Sequence, residues 1–228
     1  MISMTEYFDL HKRRFDKSLS YLKPYLLPGI RVGIVGVSDF DDYIANLFPD
    51  VFFYNIIPEL ADNVVTSKSE SEHQRVFYDV TGDCDPPMVF DLVIFTEVLE
   101  HLFENDSKII ANLGKLLVDD GILCMSVPNA ASLGNRLKLL WGRNIFWSKN
   151  LMINGVYGGF GHLREYTLRE VVDLIEDDFT ISTLKGINEY KSRIRWISLF
   201  LPKTYANTIF VIARKRILKI KGHLSKLD

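Results

Sequence analysis

Cysteine is scarce in this chain. It has two, Cys84 and Cys124, in 228 residues, and they lie far apart. Neither a disulfide framework nor a metal-ligand spacing can be read from them, and no metal is expected. The pair fits a reducing, cytoplasmic compartment. Cys124 lies within an apolar run and is expected to be a buried free thiol. An excess of one charge is lacking as well: the formal net charge is -2, which gives no general pull toward nucleic acid. No run reaches the roughly 18 apolar residues of a membrane-spanning helix. The opening stretch, MISMTEYFDLHKRRFDKSLSYL, has no apolar core of a signal peptide. Internal repeats and low-complexity tracts are absent too. What is present is ordinary for a globular chain with a full core: 47% hydrophobic and 25% charged residues.

Glycine is sparse where it would matter most. RVGIVGVSDF, residues 31–40, reads as a buried strand entering a loop with one glycine, Gly36, where nucleotide-type loops carry two or three. Strand and helix patterns then alternate. Phe40, Ile44, Leu47 and Phe48 form a helical stripe. VFFYNII, HQRVFYDV and FDLVIFT read as strands, the last almost wholly apolar, as a central parallel strand should be. Ile109, Leu113, Leu116 and Leu117 form a second stripe. Asp119, Asp120 and Gly121 read as a turn into the strand GILCMSV. Leu133, Leu137, Leu140 and Trp141 make a third stripe. Thr167 and Glu170 form a capping box for the next helix, and FTISTLKG and NTIFVIAR read as two closing strands. Residues 5–27 read as a mixed, charged helix. This alternation predicts an α/β fold with a mostly parallel sheet covered on both faces. Ligands of such sheets bind outside the carboxyl ends of the strands, near the switch in strand order. That rule points to Gly36–Phe40, Asn55, Asp79 and Thr96–Glu97.

FDLVIFTEVLEHL resembles the fourth strand and following turn of the class I S-adenosylmethionine-dependent methyltransferases. DDGILCMSVPNAASLGNRLKLLWGRN and GHLREYTLREVVDLIEDDF are similar to a branch associated with glycan or cell-surface polysaccharide synthesis. The resemblance covers residues 25–214. It implies a Rossmann-like seven-stranded sheet, its last strand antiparallel, in a single domain over 1–228. An N-terminal helix would occupy 1–27, acceptor-side insertions 129–166 and 188–206, and a basic tail 214–228. The implied cofactor is S-adenosyl-L-methionine, surrounded by Gly36, Ser38, Asn55, Asp79, Val80, Thr96 and Glu97. The implied reaction is O-methylation of a sugar or other small polar acceptor.

The chain departs from that family's pattern at the loop. Ile34 stands where an acidic residue is usual, Ser38 and Phe40 stand at the later glycine positions, and Asn55 replaces the ribose-binding acid. Asp79 retains the residue usually near the adenine amine. Asp39, Asp41 and Asp42 crowd the start of the following helix. They suit the helix dipole but oppose a pyrophosphate, which counts against a nucleotide-dependent oxidoreductase. S-adenosylmethionine has no phosphate and tolerates them. Two readings stand: an altered but working cofactor loop, or a non-catalytic partner protein with a degenerate one.

His162 is the candidate general base, because imidazole ordinarily titrates near neutrality and a hydroxyl acceptor must lose its proton. The plainer alternative is a histidine that ties its loop to the next helix. Glu97, Glu100 and His101 read either as an acid–base cluster or, the plainer reading, as a residue at the cofactor edge followed by two that cap and orient the next helix. Arg164, Glu165 and Tyr166 read either as acceptor contacts or as a salt-bridged turn. Arg136, Lys138 and Arg143 are a solvated face or the acceptor entrance. The C-terminal ARKRILKIKGHLSK and the apolar, basic SRIRWISLFL could rest on the inner face of an anionic membrane, or be a basic tail and a packing insert.

Overall fold

The computed structural model describes residues 4–59, 74–150, 161–188 and 202–217. Within them, seven strands form one sheet: β1 (Arg31–Val35), β2 (Phe52–Ile57), β3 (Gln74–Phe77), β4 (Phe90–Thr96), β5 (Leu117–Pro128), β6 (Phe179–Ile187) and β7 (Thr208–Lys215). The strand order is β3-β2-β1-β4-β5-β7-β6. The strands from β3 to β5 run parallel, and β7 is antiparallel to both of its neighbours. The predicted sheet, with its antiparallel closing strand, is therefore what the chain forms.

Strand alternation divides the core between two faces. Val32, Ile34, Leu92, Ile94 and Cys124 pack on one side beneath α1 (Met4–Leu22) and α2 (Asp39–Leu47). Val35, Val93, Phe95, Leu123 and Met125 pack on the other, with α3 (Asp106–Lys115) and α5 (Leu168–Ile175). Cys124 is a buried free thiol. Rings join α1 to α2: Phe15 stacks on Phe40 at 5.1 Å, and Phe8 meets Tyr43 edge-on at 5.2 Å. The Tyr43 hydroxyl donates to Asp16 across the same seam (2.9 Å).

Local chemistry explains where the helices start. The Asn105 side chain accepts from the backbone of Ser107 and Lys108 to begin α3. The predicted box of Thr167 and Glu170 closes the start of α5. Two expectations need correction. The stripe that starts at Ile109 ends with α3, and Leu117 already belongs to β5. The turn expected at Asp119–Gly121 is an excursion inside β5: pairing with β4 jumps from Leu117 to Ile122 while β4 advances from Phe90 to Leu92, and Asp120 takes φ 63°. The third stripe does form a helix, α4 (Leu133–Leu140), but it is not a core helix. Leu139, Leu140 and the following Trp141 are 55%, 76% and 69% exposed.

Two glycines test this packing in opposite senses. A Cβ on Gly186 of β6 would lie 2.7 Å from the Lys203 carbonyl oxygen, whereas one on Gly134 of α4 meets nothing within 4 Å. Gly186→Ala should destabilise by about 1–3 kcal/mol, and Gly134→Ala should be neutral or stabilise by up to ~1 kcal/mol. Chemical-denaturation midpoints check both.

Candidate functional site

Strand order reverses between β1 and β4, so the chain segments leaving these neighbouring strands diverge and open a crevice at their carboxyl ends. Both exits carry left-handed backbone: Gly36 has φ 92° after β1, and Glu97 has φ 56° after β4. They lie close together, since a Cβ on Gly36 would have Val98 Cγ2 of the β4 exit at 4.0 Å. Gly36 is therefore required for its φ rather than for lack of room. The Glu97 conformation is costly for a side-chain-bearing residue. It is held by a backbone hydrogen bond from Glu97 N to Ser126 O (2.9 Å).

The residues implied around a cofactor lie along this edge in strand order. Asp79 and Val80 follow β3, Asn55 lies in β2, Gly36 and Ser38 follow β1, and Thr96 and Glu97 end β4. Asp79 is exposed, and one of its oxygens accepts from the Thr81 backbone and hydroxyl at 2.8 and 2.6 Å. Val80 is buried, and its carbonyl accepts from the Asn112 amide of α3 (2.9 Å). Thr96 is half-buried and registers with Ser126 of β5.

Asn55 is 3% exposed, and its amide nitrogen donates to Gly36 O (3.1 Å) and to Asp41 Oδ2 (2.9 Å). Asp41 is 1% exposed and also accepts from Ser38 N (2.9 Å) and Ser38 Oγ (2.8 Å). Of the acids grouped at the helix start, Asp41 is thus turned inward to brace the loop. Burial pushes its carboxyl up from the ordinary 3.8 to about 7, against the opposing hydrogen bonds from Ser38 and Asn55.

Glu97 is tied on both oxygens. Arg14 of α1 donates to Oε2 and Ser126 Oγ donates to Oε1, each at 2.8 Å. Arg14 is itself buried, so this ion pair fastens the N-terminal helix over the end of β4. Sequence reasoning missed Arg14, Ser126 and Asn112. Each meets its partner only through tertiary contact, and no local pattern marks it.

His162 stands away from this row. Its Nδ1 lies 3.2 Å from Glu165 Oε1, and Trp147 stacks on its ring at 4.4 Å. Glu165 Oε2 in turn accepts from Asn135 of α4 (3.3 Å). The Leu163 backbone donates to Glu100 O (2.8 Å), placing His162 beside the 3-10 turn Leu99–His101. The Arg164–Tyr166 segment therefore divides. Glu165 serves His162, while Arg164 reaches Glu170 (2.7 Å) and the Tyr166 hydroxyl donates to Asp106 (3.0 Å). Arg136 donates to Ala131 O (2.6 Å) and lies over the Tyr205 ring. Residues 151–160, 189–201 and 218–228 lie outside the described residues. They include most of the YGGFG loop, the SRIRWISLFL insert and the end of the basic tail.

No protein-family model matches this chain, and no curated protein matches it in sequence. Solved structures match it by shape. A S-adenosylmethionine-dependent methyltransferase from Methanosarcina mazei superposes with TM-score 0.59 at 14% identity, over 86% of this chain and 97% of that one. The N-methyltransferase NodS of Bradyrhizobium japonicum, solved with S-adenosyl-L-homocysteine, gives 0.55 at 14%, over 91% and 88%. The 1,6-didemethyltoxoflavin-N1-methyltransferase of Burkholderia thailandensis gives 0.54 at 18%, over 89% and 78%. The fold is that of the S-adenosylmethionine-dependent methyltransferases.

Asp41 gives this loop a pH signature. A carboxyl raised by burial favours the folded state fully below its ordinary value of 3.8, and that contribution is lost as pH rises through about 7. Asp41→Asn keeps the shape and removes the titration. Its Tm should gain on the parent's by about 5 °C or more between pH 4 and pH 7. Parallel melting curves across that window would contradict the assignment.

Proposed function

We propose that the chain is a S-adenosyl-L-methionine-dependent methyltransferase acting on an oxygen of a sugar or other small polar acceptor. The observation that carries the cofactor is the paired left-handed exits of β1 and β4, Gly36 and Glu97, at the switch in strand order. The residues there fit a cation-bearing, phosphate-free ligand. Asp79 is exposed on the β3 side, and Glu97, paired with Arg14 and Ser126, keeps a carboxylate at the end of β4. When bound, the cofactor supplies the methyl group. Gly36 and Ser38 would pass beneath it, Asn55 Oδ1 and Asp79 would take its hydroxyl and amine donors, and Val80, Thr96 and Glu97 would complete the walls. His162 is the candidate base. Its Nδ1 faces Glu165, which leaves Nε2 for an acceptor hydroxyl.

The oxygen acceptor and the glycan class rest on the resemblance of the segments that contain α4 and His162. The insertions at 129–166 and 188–206 would cover that acceptor within one domain. The exposed Leu139, Leu140 and Trp141, beside Arg136, Lys138 and Arg143, favour an acceptor met at an anionic lipid surface, with the basic tail as a second contact. A second reading, a non-catalytic partner protein, draws on one observation: Asn55 and Asp41 satisfy each other inside the loop.

Calorimetric titration with S-adenosylmethionine and S-adenosylhomocysteine separates the two. The enzyme reading expects micromolar binding to the parent and its loss in Gly36→Asp, with helix content unchanged by circular dichroism. No heat from the parent at millimolar ligand would favour the partner reading.

A further inference from the structure

Among the described residues, Glu100 is a buried acid, with 0% side-chain exposure, whose two carboxylate oxygens both lack a hydrogen-bond partner. Leaving such a group unpaired is costly. Burial first, and then Glu97, push its titration well above the ordinary carboxylate value.

The space in front of this carboxyl is not empty of chemistry. His101 Nε2 lies 3.9 Å from Glu100 Oε1, and His162 Nε2 lies 4.0 Å from the same oxygen. Both distances are too long for hydrogen bonds. The three donor atoms all lie within 4.8 Å of one another. Ligands at about 2.1 Å from a common ion stand roughly 3.0–3.5 Å apart. An ion would therefore shorten the two Glu100–histidine separations by about 0.4–1.0 Å, and the widest pair of the group by up to about 1.3–1.8 Å.

The second layer is also in place. Glu165 faces His162 Nδ1 at 3.2 Å, Asn135 holds Glu165, and Trp147 fixes the ring plane. With the proton on Nδ1, the Nε2 lone pair points at the group. This carboxylate–imidazole arrangement recurs behind metal-ligating histidines. His101 and His162 retain 36% and 19% side-chain exposure, so the group opens to solvent on one side.

We propose that Glu100, His101 and His162 bind a divalent first-row transition cation, such as Co2+, Zn2+ or Mn2+, with coordination positions left open. Two imidazoles and one carboxylate suit these ions better than Mg2+ or Ca2+, which prefer all-oxygen sets. The expectation of no metal rests on cysteine spacing along the chain. His162 lies 61 residues from His101, and tertiary contacts bring them together, among them the hydrogen bond from Leu163 N to Glu100 O. Binding of the ion stands apart from the methyl-transfer reading. Its role rests on that reading. An ion there would make His162 a ligand and would acidify an acceptor hydroxyl on an open position, the proton passing to solvent on the exposed side of the group.

The test uses the full chain, stripped with a chelator and without any methyl donor. Titration with Co2+ alone is followed by calorimetry and by the visible d–d absorption of the ion. The site predicts one equivalent bound with the spectrum of nitrogen and oxygen ligation, and a Tm that rises with Co2+ concentration. Glu100→Gln and His162→Ala should each weaken binding at least about tenfold, and Glu165→Gln about tenfold through the orienting carboxylate. Glu100→Gln should melt no lower than the parent, because it removes an unpaired buried acid. Should that variant misfold, His162→Ala, whose ring is part-exposed, decides alone. No binding at millimolar Co2+ would overturn the site, as would binding that these substitutions leave unchanged. Because no methyl donor is present, failure here leaves the cofactor reading untouched.

Discussion

A parallel sheet whose strand order turns back on itself between β1 and β4 has one place where the chain must diverge, and the rest of the site depends on that place. The strands on either side deliver their carboxyl ends to a common edge. Sharp exits from β1 and β4 need left-handed backbone, which Gly36 supplies freely and Glu97 supplies under strain. The strain at Glu97 is held by Ser126 from β5 and Arg14 from α1. The N-terminal helix is thus part of the architecture of the edge.

The loop after β1 carries a single glycine and is braced by a buried acid. Asp41 reaches back to Ser38, and Asn55 bridges Asp41 to the Gly36 carbonyl. Side-chain hydrogen bonds here take over work that glycine conformations do elsewhere. The exchange links loop geometry to protonation, because the bracing carboxyl is buried. It also gives Asn55 a structural role in the loop.

Much of the fold was legible because its signals are local. Apolar runs of strand length, the box at Thr167 and Glu170, and the lone Gly36 each point to one conformation by nearby chemistry. The stripe of α4 was legible as a helix but not as an exposed one, since periodicity reports a face and not what covers it. Asp41 read as one of three acids suited to a helix dipole, and its burial arises only where α2 packs against β2. The tie between Arg14 and Glu97 spans 83 positions, and Glu100 meets His162 from 62 positions away, with the Leu163 N to Glu100 O hydrogen bond among the contacts that join the two segments. Such contacts leave no periodic or spacing signal in the chain.

The central claim is that this altered loop still forms a cofactor seat. A crystal structure grown with S-adenosylhomocysteine tests it most directly. The account predicts ligand density across the exits of β1 and β4, over Gly36 and Ser38 and beside Asp79 and Glu97. The Asp41–Asn55 hydrogen bond and the Arg14–Glu97 pair should remain intact beneath it. Crystals that stay ligand-free at saturating concentration with the same loop conformation would contradict it, as would a ligand bound away from these exits.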